Sequence, residues 1–130
     1  MSEQRSTTVT RPPKVFVAQF PRPKADGRTP NLQPATQYGA IEFVFDASDR
    51  PHADMPSAIK KAQAVLSDFN PAKDYVLDIG AGCDPFAYKA VIRVLLDWWD
   101  DKIMHLCWSR GVKENGELDK ENGYYFPVPV

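Results

Sequence analysis

The stretch Asp74-Tyr75-Val76-Leu77-Asp78-Ile79-Gly80-Ala81-Gly82-Cys83-Asp84-Pro85 decides the fold. Tyr75, Val76, Leu77 and Ile79 are strand formers, and Gly80 and Gly82 end their run. Asp84 is a good helix N-cap, because its carboxylate accepts from the orphan N–H groups of a first turn. Pro85 then suits the first helical position, where its missing N–H costs nothing. From Phe86 to Trp99 the charged residues Lys89, Arg93 and Asp97 fall four apart, so they form one narrow polar stripe on an otherwise apolar helix. Such a helix must be covered over most of its circumference, by a sheet plus a neighbour or a second subunit. Asp100 and Asp101 oppose the helix dipole and belong to the following link. Ile103 to Trp108 is the next strand, parallel to the first if the usual right-handed crossover holds.

Working outward from this βαβ unit, Lys14 to Phe20 reads as a strand with two apolar faces. Val15 and Val17 lie on one face and Phe16, Ala18 and Phe20 on the other, so the strand is expected to be central. Met1 to Pro13 is polar and reads as a disordered tail, ahead of a single domain over 14–130. Pro21 to Pro34 is a proline-stiffened loop, with a short helical turn near Gln33 to Tyr38 stopped by Gly39. Ala40 to Phe45 is the second strand, with Ile41, Phe43 and Phe45 on one face. Met55 to Phe69 is the first full helix, capped by Asp54, with Pro56 in its first turn. Residues 111–123 lack an apolar period and read as a mobile hairpin arm. Tyr124 to Val130 closes the chain. Pro127 and Pro129 remove donors on one side of that strand, which marks it as an antiparallel edge. The expected fold is a small single-domain α/β protein, with a mixed sheet of about five strands and two main helices.

Composition narrows the function. A formal net charge of −1 lacks the basic surplus of a strong sequence-independent nucleic-acid binder. No apolar run reaches membrane-spanning length and the N-terminus is polar, so a cytoplasmic protein without membrane anchor is expected. The two cysteines, Cys83 and Cys107, suggest reduced thiols rather than a disulfide framework. His105 and Cys107 share a strand face that Cys83 can approach, but no zinc-ligand spacing is present, and no metal or cofactor is expected.

Two resemblances attach to these residues. Val76-Leu77-Asp78-Ile79-Gly80-Ala81-Gly82-Cys83 resembles the first motif of class I S-adenosylmethionine-dependent methyltransferases, whose glycine turn lets the backbone approach the cofactor. Here Cys83-Asp84-Pro85 replaces the third glycine, the next strand has no acid at its end, and too few residues follow to complete that family's sheet. The likeness is read as fortuitous, which leaves a methyltransferase-like fragment as the third functional reading. A second resemblance covers about half the chain. The Gly-then-Asp84-Pro85 turn, the Leu106-Cys107-Trp108-Ser109-Arg110 strand and the closing Tyr124-Tyr125-Phe126-Pro127-Val128 strand are similar to a group of small uncharacterised proteins of tailed bacteriophages. That resemblance implies a phage accessory protein, placed in the cytoplasm of the host cell, and supplies no activity.

The candidate ligand site is the turn at the strand's carboxyl end. Gly80, Gly82 and Asp84 open a helix there and Asp78 can point toward it, although Asp84 repels phosphate. Asp78 can instead pair with Arg110 or Lys102. Trp98, Trp99 and Trp108, with Arg110 near the last, are candidate interaction residues; no basic groove accompanies them for stacking on bases. No catalytic set stands out, so the leading expectation is a non-enzymatic protein that binds an unidentified protein partner, or itself as a homodimer through an exposed face of the second helix. A small-ligand or nucleotide-binding domain using the Gly80–Asp84 crevice is the alternative.

Overall fold

The computed structural model of the chain describes residues 11–22, 31–80, 82–99, 102–112 and 114–130, and only the backbone of 110–112 and 118–122. Five strands form one sheet in the order β2-β1-β3-β4-β5. They are β1 (Lys14–Gln19), β2 (Ala40–Phe45), β3 (Tyr75–Leu77), β4 (Met104–Val112) and β5 (Leu118–Pro129). β2, β1, β3 and β4 run parallel to their neighbours, and β5 returns antiparallel to β4. The two helices are α1 (Met55–Val65) and α2 (Pro85–Trp99). The anticipated β3-α2-β4 crossover is present, and the C-terminal strand lies on an edge of the sheet.

β1 is central, and both its faces are buried. Phe16 and Ala18 join the core under the helices, with Leu66, Val91 and Leu95. Val15 and Val17 join a second layer with Leu77, Leu106 and Tyr125. That layer is closed by the 3-10 turn Gln33–Gln37, whose Ala35 is buried and whose neighbour Tyr38 donates its hydroxyl to the Tyr125 carbonyl at 2.8 Å.

Three local details differ from the sequence expectation. The first helix tightens after Val65 into a 3-10 turn, Leu66–Asp68, which lets Leu66 and Phe69 turn into the core before Asn70-Pro71. Phe45 leaves the face of Ile41 and Phe43 and packs with the helix-side core, because it stands at the strand's end where the alternation lapses. The arm is more regular than a loop: β4 and β5 stay paired out to Val112 and Leu118, with one irregularity between Ser109 and Gly111. Since β3 meets β4 at Val76–His105 and Leu77–Leu106, most of this two-stranded ribbon projects past the sheet.

Of the tail expected over residues 1–13, residues 1–10 lie outside the described residues. Arg11 donates to both Asp68 and Asp74, so the chain just before β1 is tied to the segment just before β3.

Candidate functional site

The carboxyl ends of β1, β2 and β3 come together at one end of the sheet, and the expected turn lies there. Gly80 and Gly82 both adopt positive φ, at 83° and 77°. Their surroundings differ. A Cβ on Gly80 would meet nothing within 4 Å, whereas one on Gly82 would lie 2.6 Å from the Arg22 carbonyl oxygen. Gly82 is therefore a packing glycine, against the loop that leaves β1, and Arg22 N–H donates to its carbonyl at 2.9 Å. Two concavities, of about 170 and 300 Å³, lie elsewhere: one after β2, between Phe45, Arg50 and Lys61, and one between the helices, at Gln63, Arg93 and Asp97.

Asp84 does more than cap α2. Its carboxylate accepts the Phe86 N–H at 2.9 Å, which is the cap, and also the His52 N–H at 3.1 Å and the His52 Nδ1. Its own N–H donates to Gln19 Oε1 at 2.6 Å. The Gln19 amide in turn donates to the carbonyls of Asp46 and Asp49 at 2.8 and 2.9 Å. A network from the ends of β1 and β2 thus fixes one buried carboxylate. Burial works against the charge on Asp84, but the hydrogen bonds from His52 and the two N–H groups outweigh it and hold its pKa below the ordinary carboxylate value. Local sequence pattern points to the cap but to nothing of His52, which sits in the turn Pro51–Ala53, thirty-odd residues away along the chain.

Among the described residues, Asp78 and Asp84 share no hydrogen-bond partner. Asp78 reaches the surface beside a second group of polar side chains, Cys83, Tyr88, His105 and Cys107. Burial pushes the Asp78 pKa up, against a hydrogen bond from Gly80 and the influence of His105. Burial, with Asp78, also raises Cys83, and it pushes Tyr88 to about 12. His105 is lowered by burial. Tyr88 meets His105 edge-on at 5.3 Å between ring centres, and Cys107 Sγ lies 3.5 Å from His105 Nδ1. Lys102 and Arg110 were the alternative partners of Asp78; the side chain of Arg110 lies outside the described residues. Among the described residues no group of three or more His, Cys, Asp or Glu is placed to hold a metal ion.

The tryptophans do not form one patch. Trp98 is exposed on α2, while Trp99 packs partly against the helix-side core and buries its Nε1 without an acceptor among the described residues. Trp108 lies on the other face of the sheet. It is 45% exposed, meets Tyr125 edge-on at 4.8 Å between ring centres, and covers Gly123, where a Cβ would fall 1.9 Å from its ring. On the helix side of the same ribbon, Tyr124 and Phe126 are 50% and 38% exposed. Sequence reading passed over this pair because alternation alone does not show that no helix reaches so far along the strand.

The titrations give a signed prediction. Asp49 is held down by Lys61, and Asp68 and Asp84 are held down by their donors in spite of burial. Each contributes stability above the unfolded carboxylate pKa and loses it as pH falls through the folded value. The lowered pKa of His105 acts in the same direction, beginning as pH drops through about 6.5, where the unfolded state takes up a proton first. The raised Asp78 acts oppositely and offsets part of the acid loss. Denaturation midpoints measured from pH 8 to pH 3 are therefore expected to fall on acidification. His105→Gln is expected to remove the portion beginning near neutrality; an unchanged slope there would contradict this assignment.

The fold places the protein among small mixed-sheet α/β domains that carry a projecting C-terminal ribbon. Residues 13–121 match the family described as Phage Pam3 gp32-like protein, and the chain belongs to that family. The match bears out the expectation of a small phage protein. No curated protein and no solved structure matches the chain.

Proposed function

We propose that this phage accessory protein acts in the host cell's cytoplasm by binding another protein through its C-terminal ribbon. The observation that carries the reading is the exposure of Tyr124 and Phe126 on one face of the ribbon and Trp108 on the other, on strands that project past the sheet. Aromatic side chains of this kind supply large contact areas at low entropic cost, and they dominate the centres of protein interfaces. Among the described residues no helix is long and apolar enough to cross a membrane. The test is affinity capture from a phage-infected host lysate with the full chain and with a Tyr124→Lys/Phe126→Lys variant of unchanged circular dichroism. A stoichiometric protein held by the first and lost by the second supports the reading. Capture indifferent to the substitutions counts against it. Self-association through Leu96 and Trp98, both exposed on α2, is the homodimer version, and light scattering showing a strict monomer removes it.

The group of shifted side chains around Asp78 favours a second reading, a small-ligand site beside the open Gly80. A nucleotide that co-purifies, or calorimetric binding of S-adenosylmethionine, would favour it over protein binding.

A further inference from the structure

We propose that His52 is a nucleophilic imidazole held ready by Asp84, and that the end of the sheet where it sits accepts small, activated acyl groups. The Asp84 side chain is only 4% exposed, and the imidazole it holds is 53% exposed. Because Asp84 is anionic at neutral pH and only accepts, the neutral ring must carry its proton on Nδ1. Its Nε2 lone pair is therefore the free one. An imidazole whose tautomer and orientation are set by a buried carboxylate is the arrangement that makes histidine an effective nucleophile or base. A cap for α2 requires Asp84 but does not require the imidazole. The carboxylate is itself fixed by Gln19, so the ring is oriented by three parts of the chain at once.

The surroundings select the electrophile. Asp49 is paired with Lys61 at 2.6 Å, and both line the adjoining concavity together with Arg50, so its rim carries both signs of charge and the size and apolar part of its wall select. The concavity of about 170 Å³ next along the chain has Phe45, Pro51 and Ala58 in its wall, room for a short acyl chain. In the reaction, Nε2 attacks the carbonyl carbon of an ester, and the C–O bond breaks with the electron pair leaving on the alkoxide or phenoxide. The acyl-imidazolium keeps its Nδ1 proton against Asp84. Water then adds to the acyl carbon and the C–N bond breaks. The carboxylic acid leaves, and the protonated ring returns its extra proton to solvent.

The test uses p-nitrophenyl acetate and the full chain. The expected rate constant is about a hundredfold above that of N-acetylhistidine amide, the lower range of what a positioned acid–base group contributes. His52→Gln is expected to bring it to the level of the free amino acid. Asp84→Asn, which leaves the ring but frees its tautomer, is expected to lower it about tenfold or more. Should Asp84→Asn fail to fold, carbethoxylation by diethyl pyrocarbonate followed by peptide mapping decides on the wild-type chain: His52 must react faster than N-acetylhistidine amide. Ester hydrolysis no faster than that of the free amino acid, or unaffected by His52→Gln, overturns the proposal, as does a slow His52 in the carbethoxylation.

Discussion

Asp74→Ala is expected to lower the stability by about 3–5 kcal/mol, the cost of removing one partner from a buried charged pair. The Asp74 side chain is fully buried. Its Oδ1 accepts from Arg11 Nη1 at 3.0 Å and from the Lys14 N–H at 2.9 Å. Its Oδ2 accepts from Arg11 Nη2 and from the Asn70 N–H at 2.7 Å. Alanine would orphan two backbone donors and a guanidinium at once. Asn is not expected to rescue, because both oxygens face two donors each, and whichever is replaced by NH2 sets donor against donor. For a chain of this length the alanine loss corresponds to roughly 10–20 °C in melting temperature. Arg11→Ala should cost less, because Arg11 is partly exposed and shares itself with Asp68 at 2.9 Å. Thermal melts of Asp74→Ala, Asp74→Asn and Arg11→Ala check the ranking; an Asp74→Asn protein as stable as the parent would show that the carboxylate is not the organising group.

Gly82→Ala and Gly80→Ala should separate, although both glycines occupy left-handed backbone within one turn. At Gly80 the only obstacle is conformational, about 1 kcal/mol for a side chain at positive φ. At Gly82 the new Cβ also meets the Arg22 backbone, 2.6 Å from its oxygen and 3.1 Å from its nitrogen. Backbone cannot rotate away as a side-chain tip can, so the loop after β1 must move and the Arg22–Gly82 hydrogen bond must lengthen. We expect about 2–4 kcal/mol in total from strain plus overpacking. Urea unfolding of the two variants measures the difference. Equal losses would mean that the loop after β1 yields freely, and that it does not hold the turn in place.

These two sites mark where sequence reading succeeds and where it stops. The β3-α2-β4 unit was legible because its signals are local: strand formers, a glycine turn, a cap, Pro85, and an apolar helix with one polar stripe. The central position of β1 was legible because an apolar residue on both faces can only be buried twice. Asp54 was readable as a cap, and its carboxylate does accept the Ser57 N–H at 3.2 Å. What escaped depends on distance along the chain. Arg11 and Asp74 lie sixty-three residues apart, and Gln19 and Asp84 sixty-five, and no periodicity links them. The same holds within the turn. Gly80 and Gly82 look alike in sequence, and only the passage of the chain at Arg22 makes one of them obligatory. From sequence, Asp84 is a cap and a repellent to anions, which describes its charge but not its engagement with His52.

The inner position of β1 bears on how the protein is made. Among the described strands, the one synthesised first is flanked at the end by β2 on one side and β3 on the other. During translation, β2 can dock soon after it leaves the ribosome, but the opposite flank stays vacant until β3 emerges, and the covering layer until α2 follows. A nascent chain therefore carries Phe16 and Val17 on an unfinished template through much of its elongation, which exposes it to wrong partners. Chains cut short before β3 are accordingly expected to collect as insoluble material rather than as a smaller version of the protein.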